Sequence, residues 1–181
     1  MVSGMTTLNT ATLDVIMCDD DHDDQMLMAM AVQEQRTPLD LTFTDTGMDL
    51  MNELQKRIEQ IRMPDLVVLD LRMPVMDGHD VLERMRTDPV LWQIPVVVFT
   101  SSASVRDLQR SYARGAIWYE TKPSDFAELV EFVGRLPRYA TQSGFDPFDA
   151  DTEPYNYLSG ADPEADEVLD VERRRPGSAP R

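Results

Sequence analysis

Asp19, Asp20, Asp70, Thr100 and Lys122 are the residues of this chain whose types could do chemistry together, and each follows an apolar run. Asp70 closes Leu66-Val67-Val68-Leu69, which Pro64 precedes and Pro74 and Asp77-Gly78 follow. A short apolar run between turn formers suits a strand buried on both faces of a parallel sheet. Asp70 then falls at the carboxyl edge, where open α/β sheets bind ligands. Leu13 to Cys18 delivers Asp19 and Asp20 in the same way, Val96 to Phe99 delivers Thr100, and Ala116 to Glu120 leads to Lys122. An acidic pair, a lone carboxylate, a hydroxyl and an ammonium on one edge match the needs of phosphoryl transfer to a carboxylate, which is mainly positioning and charge neutralisation. Asp70 would be the nucleophile. A hard divalent cation on oxygen ligands would neutralise the phosphoryl oxygens, Lys122 would pair with another of them, and Thr100 would donate a hydrogen bond.

The elements that must position these groups alternate along the chain. After the first strand, five carboxylates crowd Asp19 to Asp24; Asp23 and Asp24 read as acids at the positive end of a helix. That helix, Gln25 to Gln35, carries Met26, Leu27, Met30 and Ala31 at helical spacing, with its methionines read as packing. Leu39 to Thr44 alternates as a strand, and Asp49 to Ile61 places Leu50, Leu54, Ile58 and Ile61 on one helical face. Val81, Leu82 and Met85 mark a third helix closing near Asp88-Pro89, and Val105 to Arg114 a fourth stopped by Gly115. Asp125 with Glu128 resembles a capping box opening a last helix with Phe126, Leu129, Val130 and Val133 inward. Five strands alternating with five helices predict an α/β domain over residues 12–138, a doubly wound parallel sheet with right-handed crossovers and helices on both faces. Residues 1–11 are small, polar and without period, and read as a loose amino terminus.

Composition narrows the partners. Among 181 residues, 33 Asp and Glu face 17 Lys and Arg, for a net charge of −16. This excess argues against nucleic acid or anionic membrane as a direct partner. No Lys or Arg precedes Arg36, so no basic secretory leader is visible, and no apolar run approaches the ~18 residues of a membrane span. The single cysteine, Cys18, reads as core and fits a reducing, cytoplasmic setting. His22 and His79 have no ligand partners at useful spacing.

The motifs Asp19-Asp20, LDLRMPVMDG with Asp70, FTSS with Thr100, and YETKP with Tyr119 and Lys122 resemble the receiver domain of two-component response regulators. The resemblance spans residues 12–138 in order, with every signature position filled. It implies the flavodoxin-like (βα)5 fold and phosphoryl transfer from a histidine kinase to Asp70. It also implies Mg²⁺ held by Asp19 or Asp20, by Asp70 and by the main-chain carbonyl of Arg72. Asp20 is the surer direct ligand, Asp19 often acting through water. A switch is implied too, in which Thr100 moves toward the phosphoryl group and Tyr119 rotates inward, remodelling the face of the fourth helix, fifth strand and fifth helix. The long form RTDPVLWQIPVVVFTSSAS with YETKPSDFAEL resembles most the stand-alone receivers that accompany bacterial phytochrome kinases. The second acidic position is often Glu in the family; Asp19 is one methylene shorter and should preserve metal binding.

Two other readings of Asp70 compete. An aspartate-nucleophile phosphatase of the haloacid dehalogenase type needs a second Asp two residues on, where this chain has Arg72. A flavodoxin-like cofactor binder needs a glycine-rich phosphate loop after the first strand, where five aspartates would repel a phosphate. No catalytic motif or basic helix-turn-helix follows residue 138, so the expected protein is a non-enzymatic, single-domain signalling module. A homodimer through the fourth helix, fifth strand and fifth helix is expected, with Trp118 as an anchor on that face. The segment 139–181 reads as an acidic extension, with ten acids against four arginines from residue 141 onward. Its aromatics Phe145 to Leu158 suggest docking on a receiver, and Asp162-Pro163-Glu164 through Arg173 suggests a short helix over 163–174.

Overall fold

Five apolar runs become the five strands, β1 (Leu13–Cys18), β2 (Leu39–Thr44), β3 (Leu66–Leu69), β4 (Val96–Thr100) and β5 (Trp118–Thr121), all paired in parallel. Helices α1 (His22–Gln35), α2 (Gly47–Glu59), α3 (Gly78–Thr87), α4 (Val105–Ala113) and α5 (Phe126–Ala140) connect or follow them, with one 3₁₀ turn at Leu91–Gln93. The structure, a computed structural model, describes residues 12–141. The proposed docking segment 145–158 and helix 163–174, like the amino-terminal residues 1–11, lie outside the described residues.

The sheet order is β2-β1-β3-β4-β5. After β1 the chain steps to one side to form β2 and then returns to the other side to form β3, so the carboxyl ends of β1 and β3 flank a topological switch point. Every residue of β3 and β4 is buried, because both sheet faces are covered. On one face Met28 and Ala31 of α1 meet Leu129, Phe132, Val133 and Leu136 of α5 over Val15, Met17, Val68 and Val97. On the other face Leu50 and Leu54 of α2, Val81, Leu82 and Met85 of α3, and Tyr112 of α4 cover Ile16, Val67 and Val98. Each helix starts under a polar cap: Asp21, Thr46, Asp77, Ser104 and Asp125 accept a hydrogen bond from a backbone N–H two or three residues on. Such caps are each worth about 1 kcal/mol.

Some sequence expectations fail for identifiable reasons. Met26, Leu27 and Met30 are exposed, not packed. The inward face of α1 instead runs through Met28 and Ala31, and the polar residues one turn before and after, half-buried Asp24 and exposed Gln35, disguise the apolar period. Asp24 reaches Lys122, and Gln35 lies where a side chain on Gly134 of α5 would otherwise sit. Phe126, the first residue of α5, is 40% exposed. The strand expected from Ala116 begins only at Trp118. In α5 the helix continues past Pro137 to Ala140, and Tyr139, expected in the extension, is buried against Trp118. Burial of Leu136 and Tyr139 on either side offsets the backbone bond that Pro137 cannot make.

Two further differences lie in α2. Arg57 takes the inward position expected of an apolar residue: its guanidinium pairs with Asp14 and Glu53 and donates to Thr42, closing a buried ionic cluster at the amino ends of β1 and β2. Ile61, expected on the buried face, is 94% exposed. Its N–H donates to Ile58 O and that of Arg62 to Arg57 O, while Ile61 itself adopts φ 55°. This is a Schellman cap, whose left-handed position favours glycine and penalises a β-branched side chain. Ile61→Gly should therefore stabilise the domain by about 1 kcal/mol, raising its melting temperature by about 3–5 °C. Calorimetry checks this, and a fall in melting temperature would show that the turn is held by contacts of the Ile61 side chain.

Candidate functional site

Register brings the acids together. Cys18 pairs with Leu69, and Asp70 N–H donates to Cys18 O at 2.9 Å, so Asp19 and Asp70 leave neighbouring strands side by side. Asp19 is fully buried, Asp70 is 5% exposed and Asp20 faces solvent. One carboxylate oxygen from each of the three lies within 4.8 Å of the others. Lys122, fixed by its N–H to Thr100 O at 2.8 Å, extends its ammonium across this cluster. Nζ lies 2.7 Å from Asp19 Oδ2, 2.7 Å from Asp24 Oδ2 and 3.4 Å from Asp70 Oδ2.

Four carboxylates thus face one ammonium. Burial, with Asp70 alongside, pushes the Asp19 carboxyl up to about 6 despite the hydrogen bond from Lys122. Burial also works against the charge on Lys122, but the hydrogen bonds to Asp19 and Asp24 outweigh it and hold the ammonium above its ordinary range. The thiol of Cys18, directly behind, is pushed by burial up to about 12 and is inert at neutral pH.

The loop after β3 holds Asp70 from the other side. Leu71 N–H donates to Asp70 Oδ1 at 2.7 Å, and Gly78 N–H donates to Leu71 O at 3.1 Å. A Cβ on Gly78 would lie 2.3 Å from Asp70 O and 2.8 Å from Leu71 Cα, so only glycine lets α3 start this close to the site. At the loop's tip Met76 N–H donates to Pro74 O across Val75, a γ-turn with φ 72° at an exposed β-branched residue. Such turns are strained. Arg72 is exposed in this loop.

Thr100 is fully buried at the end of β4, where its hydroxyl accepts from Ser102 N–H at 3.4 Å. Tyr119 already lies inside: its ring is buried and its hydroxyl donates to Ser102 O at 2.8 Å. The start of α4 is tied to the same point, because Ser102 Oγ donates to Asp107 Oδ2 at 2.6 Å. That bond holds the Asp107 carboxyl below the usual range. Buried His79 of α3 stands 3.6 Å from Asp107 Oδ1, too far for a hydrogen bond. Trp118 is half-buried, stacked on Tyr139 at 5.5 Å with its indole N–H on Glu120 at 2.8 Å. Its ring is thus engaged with its own α5.

The structure therefore gathers Asp19, Asp20, Asp70 and Lys122 into one cluster and puts Thr100 and Tyr119 on a second chain of hydrogen bonds through Ser102. Asp24, expected from the sequence to be a solvated helix-terminal acid, belongs to the first group. Its signal was legible: it lies in the first turn of the helix that leaves the same sheet edge as Asp19.

A doubly wound sheet whose switch point carries three clustered carboxylates and a half-buried ammonium defines an α/β domain built around an acidic, cation-suited site. Residues 15–134 match the response regulator receiver domain, and the chain belongs to that family, the receiver of two-component systems. Response regulator Rcp1 of Synechocystis is 30% identical over 121 residues, covering 66% of this chain and 82% of that one. A probable methanogenesis regulatory protein, FilR2 of Methanothrix harundinacea, is 42% identical over 77 residues, 42% of this chain; the chain spans 50% of that relative's length. Among solved structures, the phosphorylated cyanobacterial phytochrome response regulator RcpA superposes with a TM-score of 0.65 at 29% identity, over 72% of this chain and 96% of that one. The Mn²⁺-bound form of Rcp1 gives 0.63 at 28% identity, over 72% and 96%. Nothing in these relatives supports the haloacid dehalogenase-type phosphatase, and position 72 holds an exposed arginine.

Two outcomes follow from the site's electrostatics. Asp20→Ala removes one of the crowded carboxylates, so the metal-free variant should melt above the wild type; a clear fall would show that Asp20 is paired within the protein. Burial, with Arg110 adding to it against Asp77 and Asp107, lowers the pKa of His79. The unfolded chain then binds a proton that the native one refuses, so the contribution of His79 is complete above about 6.5 and lost as pH falls below it. Denaturant unfolding at pH 7.5 and 5.5 should show a larger acid loss for wild type than for His79→Gln, the comparison cancelling the opposite trend of Asp19. Equal losses would contradict the assignment.

Proposed function

We propose that the chain is a phosphoacceptor signalling module in which Asp70 takes a phosphoryl group from the phosphohistidine of a sensor histidine kinase. The observation that carries this reading is the Lys122 ammonium spanning Asp19 and Asp70 inside the acidic cluster. An Asp70 oxygen attacks phosphorus, the P–N bond breaks, and the imidazole leaves as the acyl phosphate forms. Leu71 N–H fixes one Asp70 oxygen, which orients the other. Lys122 supplies one compensating charge for the incoming oxygens, and Thr100 a hydrogen bond once its hydroxyl turns from Ser102.

One ammonium does not neutralise four carboxylates and a phosphoryl group. The all-oxygen donor set of Asp19, Asp20 and Asp70, clustered within 4.8 Å, fits a hard divalent cation such as Mg²⁺, with the main-chain carbonyl of Arg72 as a further ligand. When bound, Mg²⁺ supplies the charge neutralisation that lets an anion approach. The likeness to Rcp1, which has a Mn²⁺-bound form, supports a divalent ion for this chain.

The signal would pass from Thr100 through Ser102 to Tyr119 and α4, because one residue, Ser102, is bonded to all three. With Tyr119 already inward, phosphorylation would shift an existing equilibrium instead of creating a new ring position. A kinase of the phytochrome type is favoured by the likeness to RcpA. The α4-β5-α5 face, with Trp118 on it, is the proposed homodimer surface. A cytoplasmic location suits such a partner, and no helix among the described residues is long and apolar enough to cross a membrane. The acidic excess makes direct nucleic-acid binding unfavourable.

Incubation with labelled acetyl phosphate and Mg²⁺ should label the wild type, and Asp70→Asn should lose the label while keeping its fold; wild-type labelling of the variant would refute the assignment. In the same assay Asp20→Ala should need about tenfold or more Mg²⁺ for half-maximal labelling. Light scattering with and without acetyl phosphate should show a phosphorylation-dependent dimer that Trp118→Ala weakens. A monomer in all four samples would remove the dimer.

A further inference from the structure

An ammonium has three N–H bonds. In this site Lys122 donates to Asp24 at 2.7 Å and to Asp70 at 3.4 Å, and its Nζ also lies 2.7 Å from Asp19 Oδ2 as an ion pair. Two of these acids belong to the cation-suited cluster. The third, Asp24, does not: it projects from the first turn of α1, and its distance to Nζ is 0.7 Å shorter (2.7 against 3.4 Å) than that of the proposed phosphoacceptor. With the ammonium drawn among three carboxylates, a phosphoryl oxygen on Asp70 competes with them for Lys122 and gains most when one of them lets go.

The exposures decide which. The Asp19 side chain is 1% exposed and would become an uncompensated buried charge, whereas that of Asp24 is 32% exposed and regains water when released. Once free, the Asp24 carboxylate still sits at the positive end of α1, whose first N–H groups Asp21 caps. Breaking the Asp24 contact is therefore the cheap step.

We propose that Asp24 is a positioning residue for Lys122: it draws the ammonium off Asp70 in the resting site and competes with the phosphoryl oxygens for it afterwards. This inference rests on the phosphoacceptor reading of Asp70. Its sign follows from charge. Asp24 adds a negative charge that favours a divalent cation nearby and opposes an anionic phosphoryl group. In a loose transition state the charge on the transferred group disperses toward the leaving oxygen. A full Lys122 bond therefore stabilises the phosphorylated form more than the transition state for its hydrolysis, and Asp24, by weakening that bond, shortens the life of the phosphorylated state.

The test uses the full chain as wild type, Asp24→Asn, Asp24→Ala, Asp24→Glu and Asp23→Asn. Asp23 carries the same charge one residue away, is exposed, and is not a partner of Lys122 in this structure. Acetyl phosphate with Mg²⁺ transfers its phosphoryl group to Asp70 with release of acetate, and decay is followed after the donor is removed. Separately, Mg²⁺ is titrated calorimetrically without phosphodonor. Removing the charge of Asp24 should lengthen the phosphate half-life by about two- to fivefold, the range for a partly exposed ion pair, and weaken Mg²⁺ binding by a similar factor. Asp24→Glu should restore wild-type behaviour, and Asp23→Asn should change neither quantity as much. Half-life and Mg²⁺ affinity equal to those of Asp23→Asn, or a shorter half-life in both Asp24→Asn and Asp24→Ala, would overturn the role of Asp24 while leaving Asp70 as acceptor. A wild type that takes up no phosphate on Asp70 would overturn both.

Discussion

The cost of holding several carboxylates against one another at the edge of a sheet is the constraint on which this structure depends. Asp19 and Asp70 are buried beside each other with Asp20 and Asp24 at the rim, and the compensating charge among the described residues is the single ammonium of Lys122. Like charges this close destabilise the native state unless a cation or a hydrogen-bond donor answers them. The fold absorbs that cost with a sheet buried on both faces and a cap on every helix. A site with this charge balance would suit a divalent ion, as the proposed phosphoacceptor role requires.

The same arithmetic connects the site to the rest of the domain. Ser102 accepts from Tyr119 through its carbonyl, donates to Asp107 through its hydroxyl and donates to Thr100 through its N–H. A change at Thr100 cannot leave the other two contacts untouched. His79 stands against Asp107 without reaching it, while Arg86 donates to Ala113 O and Glu83 pairs with Arg114 to tie α3 to the far end of α4. The strained γ-turn at Val75 lies at the opposite rim of the site. These polar contacts and the strained turn thus surround a floor formed by the buried strands β1, β3 and β4.

Much of this was legible in the sequence because the strands are buried on both faces. A run such as Val96 to Phe99 admits one reading, and the residue that ends it must lie at the sheet edge. Asp19, Asp70, Thr100 and Lys122 can be placed on those grounds from the residue pattern alone. The helices were less legible where polar residues take inward positions. Apolar period pointed to Met26 and Met30, but the inward residues of α1 are Met28 and Ala31, flanked by Asp24 and Gln35, whose neighbours lie about a hundred residues away in the chain. Arg57 is buried for the same kind of reason, since Asp14 and Glu53 meet it only after folding. Ile61 continued the apolar period of α2 one step beyond the point where the backbone turns left-handed.

The proposed phosphoacceptor role requires that Asp70 itself carry the phosphoryl group. Borohydride reduction of an aspartyl phosphate gives homoserine, so the protein incubated with acetyl phosphate and Mg²⁺, reduced and digested, can be mapped by peptide mass spectrometry. With Asp70 as the acceptor, homoserine is expected at position 70 alone, dependent on both reagents. Homoserine at another aspartate, or none anywhere under conditions that label the protein, would contradict it.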